Sequence, residues 1–149
     1  MNVLLNLAVV LALAVFMEGV AWFTHKYVMH GFLWVLHADH HRPTGRGLQK
    51  NDLFTLFFAT PSILMIVLGL FYGRPLAASA GFGIALYGVG YALFHEVMFH
   101  RRLRWLRIRP RGRYLRRIVN AHRAHHQHGS REDSVSFSFL WAPRRYDTG

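Results

Sequence analysis

The sequence predicts an all-α integral membrane protein in which three transmembrane helices carry a histidine-rich cap. Three observations predict it: apolar runs of bilayer-crossing length, basic residues confined to one side of those runs, and histidine clusters near their ends. Val3 to Phe23, Leu53 to Tyr72 and Leu76 to Phe94 are mostly apolar, and each has about the twenty residues that cross roughly 30 Å of hydrocarbon as a helix. With 149 residues, 52% of them hydrophobic and 17% charged, a single membrane domain over 1–149 is expected. Its cytoplasmic segments are 25–52 and 95–149. The first run has no basic residue ahead of it and no small-residue cleavage pattern behind it, so it is expected to persist as a helix rather than act as a cleaved signal.

Taken in order, Asn2 to about Gly31 reads as one long helix that crosses the bilayer and carries His25 and His30 near its end. Residues 32–51 follow as a short segment whose Pro43, Gly45 and Gly47 mark a loop. The second and third spans form a hairpin through Tyr72-Gly73-Arg74-Pro75, and Pro61 is expected to kink the second. The third span returns the chain to the starting face near His95 and His100. Tyr114 to about His126 has an amphipathic period: Leu115, Ile118, Val119, His122, His125 and His126 share a sector of about 100°, while Arg116, Arg117 and Arg123 lie outside it. Val135 to Trp141 is apolar and aromatic, and a strand or irregular segment folded back over the site is expected there. Trp22, Trp34, Trp105 and Trp141 suit interface anchoring, with a lining of an apolar channel as the alternative.

The net charge of +11 invites a nucleic-acid reading, but its placement argues otherwise. Of the 18 Lys and Arg, all but Arg74 lie between the first two spans or after the third. That bias orients a membrane protein with this face in the cytoplasm and attracts anionic lipid. It also offers a docking surface to an acidic electron donor.

All but one of the 11 histidines fall into four clusters: His25-x4-His30, His37-x2-His40-His41, His95-x4-His100 and His122-x2-His125-His126. On a helix, positions i, i+3 and i+4 share a face, so each three-histidine cluster can aim its imidazoles at one point. Positions five apart are separated by about 140° on an ideal helix, so each x4 pair must embrace a metal at a helix end, distort the helix or serve two metals. The three-span topology brings all four clusters to one membrane face. Ten imidazoles exceed what a single ion takes and suit two neighbouring ions with open positions. The chain has no cysteine, which excludes thiolate haem, iron–sulfur clusters and disulfides. Imidazole suits zinc as well as iron, so zinc can replace iron in a purified sample. Around the clusters, Glu18, Asp39, Glu96 and His128 are candidates to orient an imidazole through its other ring nitrogen. For Glu18, an interhelical hydrogen bond is the competing reading. Asp52 and Asp133 could act in the same orienting way.

The stretches HKYVMHGFLWVLHADHHRP followed by NDLF, then FHEVMFHRR, RPRGRYLRRIVNAHRAHH and VSFSFLWAP resemble the fatty acid hydroxylase and sterol desaturase superfamily. Within it, the chain is most similar to the bacterial β-carotene hydroxylases, over most of residues 25 to 143. The resemblance implies a non-haem di-iron monooxygenase, in the bacterial inner membrane, that adds hydroxyl to β-ionone rings at carbon 3 and draws electrons from a ferredoxin-like donor. It carries the metal-ligand role to His25, His30, His37, His40, His41, His95, His100, His122, His125 and His126. His128 stands where no family ligand is expected. Some relatives are assigned a fourth span, which is the alternative to three. Three spans give little surface to enclose a long polyene, so a homo-oligomer is a further expectation. The rival readings are a fatty-acid or sterol hydroxylase or desaturase, a carotenoid ketolase, and a non-catalytic metal-binding or transport protein. The last predicts histidines lining the membrane interior rather than gathering at one face.

Overall fold

Asn2 opens the first helix by accepting the otherwise unpaired N–H of Leu5 on its side-chain oxygen (3.2 Å). The computed structural model describes residues 2–43, 47–103, 105–106, 108–128 and 130–147. Five α-helices are seen among them: α1 (Val3–Phe23), α2 (Trp34–His41), α3 (Asp52–Phe71), α4 (Pro75–Tyr91) and α5 (Gly112–Gln127). A short 3₁₀ turn, Arg144–Tyr146, closes the described chain.

Three helices are long and apolar enough to cross a membrane: Val3–Phe32, Asp52–Phe71 and Pro75–Phe99. Their outward faces remain apolar, as Leu56, Phe57, Val67, Leu70 and Phe71 of α3 illustrate. Such residues belong in lipid, not water. The α3–α4 hairpin turns where expected, with Gly73 at φ 62°, the left-handed region glycine enters freely. α3 is continuous across Pro61.

α4 is the centre of the bundle, packed against both α1 and α3, while those two meet each other little. The close approach depends on glycine: a Cβ on Gly83 would lie 2.6 Å from Leu13 Cβ and 2.7 Å from the Val10 carbonyl. Without an oil-versus-water drive between helices, such close backbone packing and a few polar bonds hold a membrane bundle. Ser62 Oγ of α3 donates one, to the Gly81 carbonyl of α4 (2.8 Å).

Both α1 and α4 change period near their C-terminal ends. Thr24–Phe32 after α1, and Ala92–Phe99 after α4, are π-helical. The bonds Leu33 N–H to Val28 O (2.9 Å) and His100 N–H to His95 O (3.0 Å) close five-residue turns. A π turn places residues five apart above one another, so the x4 histidine pairs share a face. Of the three ways to use those pairs, helix distortion is the one this chain takes.

Residues 130–143 hold no strand among the described residues and form an irregular strap lying over the histidines. Ser136 has φ 61°, a left-handed conformation unusual for a side chain with a Cβ. Glu18 ties the strap to the bundle. Its Oε1 accepts the N–H groups of Phe139 (2.9 Å) and Leu140 (2.7 Å), and its Oε2 accepts the Tyr87 hydroxyl (2.8 Å). Glu18 is thus an interhelical clasp that touches no imidazole.

Candidate metal centre

The histidines gather at one end of the bundle in two adjoining groups. His25, His30, His37, His41 and His125 form the first, and His40, His100, His122 and His126 the second. Within each, the potential ligand nitrogens all lie within 4.8 Å of one another. The π turn delivers His25 and His30, α2 delivers His37, His40 and His41, the second π turn leads into His100, and α5 delivers His122, His125 and His126. His95 falls outside both sets by nitrogen distance but lies against the second. Its ring centroid is 5.0 Å from that of His40, 4.6 Å from His100 and 4.8 Å from His122. The groups touch through His41 and His126, whose rings stack at 4.5 Å.

The tautomers follow from what the Nδ1 atoms meet. Nδ1 of His25 points at the Phe137 carbonyl (3.0 Å), that of His30 at the Arg131 carbonyl (3.4 Å) and that of His125 at the Val135 carbonyl (2.9 Å). Nδ1 of His37 meets Asn51 Oδ1 (2.7 Å), of His40 Gln49 Oε1 (3.1 Å), and of His95 Glu96 Oε1 (2.7 Å). These oxygens only accept, so each Nδ1 carries the proton and each Nε2 is left with a bare lone pair. Yet the Nε2 atoms converge. His30 lies 3.1 Å from His41 and 3.3 Å from His125, and His41 lies 3.2 Å from His37. In the second group His122 and His100 approach to 2.8 Å.

At the His30–His125 contact, where strap carbonyls fix both tautomers, lone pair faces lone pair, which repels unless a cation lies between them. The buried Nε2 atoms of His25 and His126, with no hydrogen-bond partner, make the same demand. The residues therefore fit two neighbouring metal ions, and the Nδ1 acceptors are the partners that usually orient imidazole ligands. The imidazoles are also kept neutral, the form that binds metal. Burial, outweighing the Asn51 bond, lowers His37 to about 2. Burial lowers His40 to about 4, and burial with neighbouring imidazoles lowers His125 and His126 to about 3.

The orienting candidates separate. Glu96 holds His95. Asp39 instead accepts the Lys50 N–H (2.6 Å), and His128 bonds the Ala124 carbonyl at the exposed end of α5 (2.8 Å); among the described residues neither is hydrogen-bonded to an imidazole of the clusters. Asp133 bonds Ser130. Asp52 accepts Arg102 and the Gln49 N–H (2.9 Å). Asn51, Gln49 and Arg102 were missed from the sequence, as were the three strap carbonyls. Asn51 adjoins Asp52 in the NDLF stretch, the one hint available; a carbonyl leaves no trace in a side-chain pattern. Gly45, in the expected loop, lies outside the described residues.

A cavity of about 380 Å³ leads to the histidines from within the bundle. Met17, Ala21 and Met29 line it, as do Phe54, Phe58, Ile84, Tyr87 and Phe139, and His25, His37, His95 and His122 are at its polar end. Ile63 and Val89 line it too and are each 57% exposed on the outer surface, so it reaches the lipid-facing side. Among the described residues no tryptophan lines it. Beyond the histidines, His41, Arg42, His126, Gln127, His128, Ser130 and Asp133 line an open polar hollow.

Three apolar spans, a polyimidazole centre at one end and an apolar cavity running up to it fit a membrane oxidoreductase, and the fatty acid hydroxylase family model matches residues 10–143. The chain belongs to that family and is an oxidoreductase. It is 40% identical over 146 residues to a β-carotene hydroxylase of Pseudescherichia vulneris, covering 97% of this chain and 81% of that protein. It is 41% identical over 139 residues to one from Pantoea ananas (93% and 78%). It is 36% identical over 140 residues to one from Paracoccus sp. strain N81106 / MBIC 01143 (93% and 85%). No solved structure matches it.

Proposed function

We propose that this chain hydroxylates the β-ionone rings of β-carotene at carbon 3, giving cryptoxanthin and then zeaxanthin, with two non-haem iron ions, O2 and reducing equivalents. One atom of O2 ends in the hydroxyl and the other in water. The observation that carries this reading is the apolar cavity whose polar end is formed by histidines of both groups. Unactivated C–H bonds give acid–base chemistry little to act on, so the metal supplies the oxidising power while the protein positions the substrate. His25, His30, His37, His41 and His125 would hold one ion, and His40, His95, His100, His122 and His126 the other.

The chain's own residues do the rest. Met17, Phe54, Phe58 and Ile84 exclude water and admit an apolar ring from the lipid side. At about 380 Å³ the cavity is near the small end of ligand pockets, a size for one end group of a polyene and not its whole length. Phe137 lies edge-on to His25, His30 and His125 at centroid distances of 5.5, 5.2 and 5.3 Å, and so limits how the ring meets the first group. The hollow beyond the histidines gives water a separate approach, the natural route for protons.

The basic surface supports a cytoplasmic setting for the histidine end, in the bacterial inner membrane, and a ferredoxin-like acidic donor. Turnover with such a donor should slow as salt screens the encounter. Expression in bacteria that accumulate β-carotene, with His37→Ala as control, tests the assignment. Carbon-3 mono- and dihydroxylated carotene with the natural sequence alone is the expected result. Untouched β-carotene beside membrane-inserted protein would overturn it, and lipid profiling would then test fatty-acyl and sterol substrates.

A further inference from the structure

The second imidazole group rests on a charged network that the reaction does not itself require. Arg102 donates from Nη1 to Glu96 Oε2 (2.7 Å) and to Asp52 Oδ1 (2.7 Å), and from Nη2 to Asp52 Oδ2 (2.9 Å). Glu96, by its other oxygen, accepts Nδ1–H of His95 (2.7 Å). Asp52 accepts the Gln49 N–H (2.9 Å), and the Gln49 side chain accepts Nδ1–H of His40 (3.1 Å). Two arms thus run from one guanidinium to two histidines of the same group. No arm reaches a histidine of the first.

The geometry is built rather than incidental. Arg101, at φ 54°, turns the chain sharply after His100, and the Arg102 N–H then bonds the Glu96 carbonyl (2.9 Å). The side chain is thereby sent back beneath the π turn. The Arg102, Asp52 and Glu96 side chains are 27%, 25% and 22% exposed. Ion pairs so withdrawn from water return little net stability, so stability alone is a poor reason to gather three charges here. Two carboxylates against one guanidinium also leave a net negative charge behind histidines that would carry a cation, which favours the loaded site.

We propose that Arg102 is a positioning residue for the second imidazole group, holding His95 through Glu96 and His40 through Asp52 and Gln49. This rests on the two-ion reading above. The planar fork grips Asp52 through both Nη atoms while Nη1 also serves Glu96, a fixed bidentate geometry that a lysine ammonium does not reproduce. Partners of this kind typically set metal affinity by about 10- to 100-fold, and the loss here is confined to one of two ions.

The test is metal content per full-length chain, purified in detergent, loaded with Fe(II) and challenged with a chelator, with thermal unfolding as a check on folding. The natural sequence is expected to keep two ions, Arg102→Ala one, and Arg109→Ala, a neighbouring exposed arginine, two. Arg102→Lys, which keeps charge without the fork, should release its second ion faster than the natural protein. Adding His122→Ala to Arg102→Ala should change nothing, whereas adding His37→Ala should remove the remaining ion. Two ions held normally by Arg102→Ala would overturn the proposal. So would loss of both together, which marks a general structural role; where Arg102→Ala does not fold, Arg102→Lys holding its second ion as tightly as the natural protein overturns it equally. Fewer than two ions in the natural protein would instead remove the two-ion reading, and the proposal with it.

Discussion

The two imidazole groups are made of the same side chain and are braced by different means. Three members of the first, His25, His30 and His125, lean on backbone carbonyls of the strap, and His37 leans on Asn51. In the second, His95 leans on a carboxylate and His40 on Gln49, both tied to Arg102. A carbonyl cannot be removed by changing its own side chain, so the first group fails when the strap is displaced. The second fails when a charge is lost. A metal site can thus be secured by where a loop runs or by what a side chain is, and the two respond to different mutations.

The largest expected effect comes from the ligands themselves. His37→Ala and His122→Ala, one from each group, should each remove an ion and lower carotene hydroxylation by more than the roughly 10–100-fold typical of outer partners. Pigment chromatography with metal analysis checks this, and near-normal activity in either would show that only one group serves the reaction.

Ser136→Val probes the strap. A β-branched residue at φ 61° costs on the order of 1–2 kcal/mol and should shift the Val135 and Phe137 carbonyls, weakening the first ion about 10- to 100-fold. Ser136→Gly fits that conformation and should bind as the natural protein does. If Ser136→Val instead loosened the second ion, the division between the groups would collapse.

Acid should affect both groups in the same direction. His40 and His125 have folded-state values of about 4 and about 3, lowered by burial from 6.5. Below pH 6.5 the unfolded chain therefore binds more protons than the folded one. Stability present above that pH is lost as pH falls, by up to about 1.4 kcal/mol per pH unit for each imidazole, until the folded values are reached. Thermal unfolding of metal-free protein in detergent should move to lower temperature from pH 7 to pH 5, and an unchanged midpoint would contradict the neutral, buried cluster.

The smallest effect lies outside both groups. Ser62→Ala removes the buried α3–α4 hydrogen bond and should cost about 0.6 kcal/mol, the usual value inside membranes. Metal content should not change.

Helix positions and the gathering of histidines were legible because both rest on periodicity: an apolar run has one way to satisfy its backbone in lipid, and i, i+3, i+4 spacing fixes a face. The repeated x4 spacing showed that something unusual was needed, without showing that two π turns would supply it. Glu18 was visible as a charge in a span, but its partners are 69 or more residues away in the chain, beyond any local pattern. Arg102 was hidden for the opposite reason. It sits in the run RRLRWLRIRPRGR, where composition gives no way to tell a half-buried, paired arginine from solvated neighbours.

The cavity's volume also bears on how the proposed reaction would proceed. A pocket of about 380 Å³, bounded by Phe139 and the Tyr87 ring, takes one terminus of a long symmetrical molecule and leaves the remainder among lipid tails. Such a molecule must back out, diffuse and re-enter reversed before its second terminus is treated. With β-carotene as the proposed substrate, catalysis would be distributive rather than processive: the half-finished pigment would be a free species, competing with fresh substrate and open to capture by any other enzyme in the same bilayer.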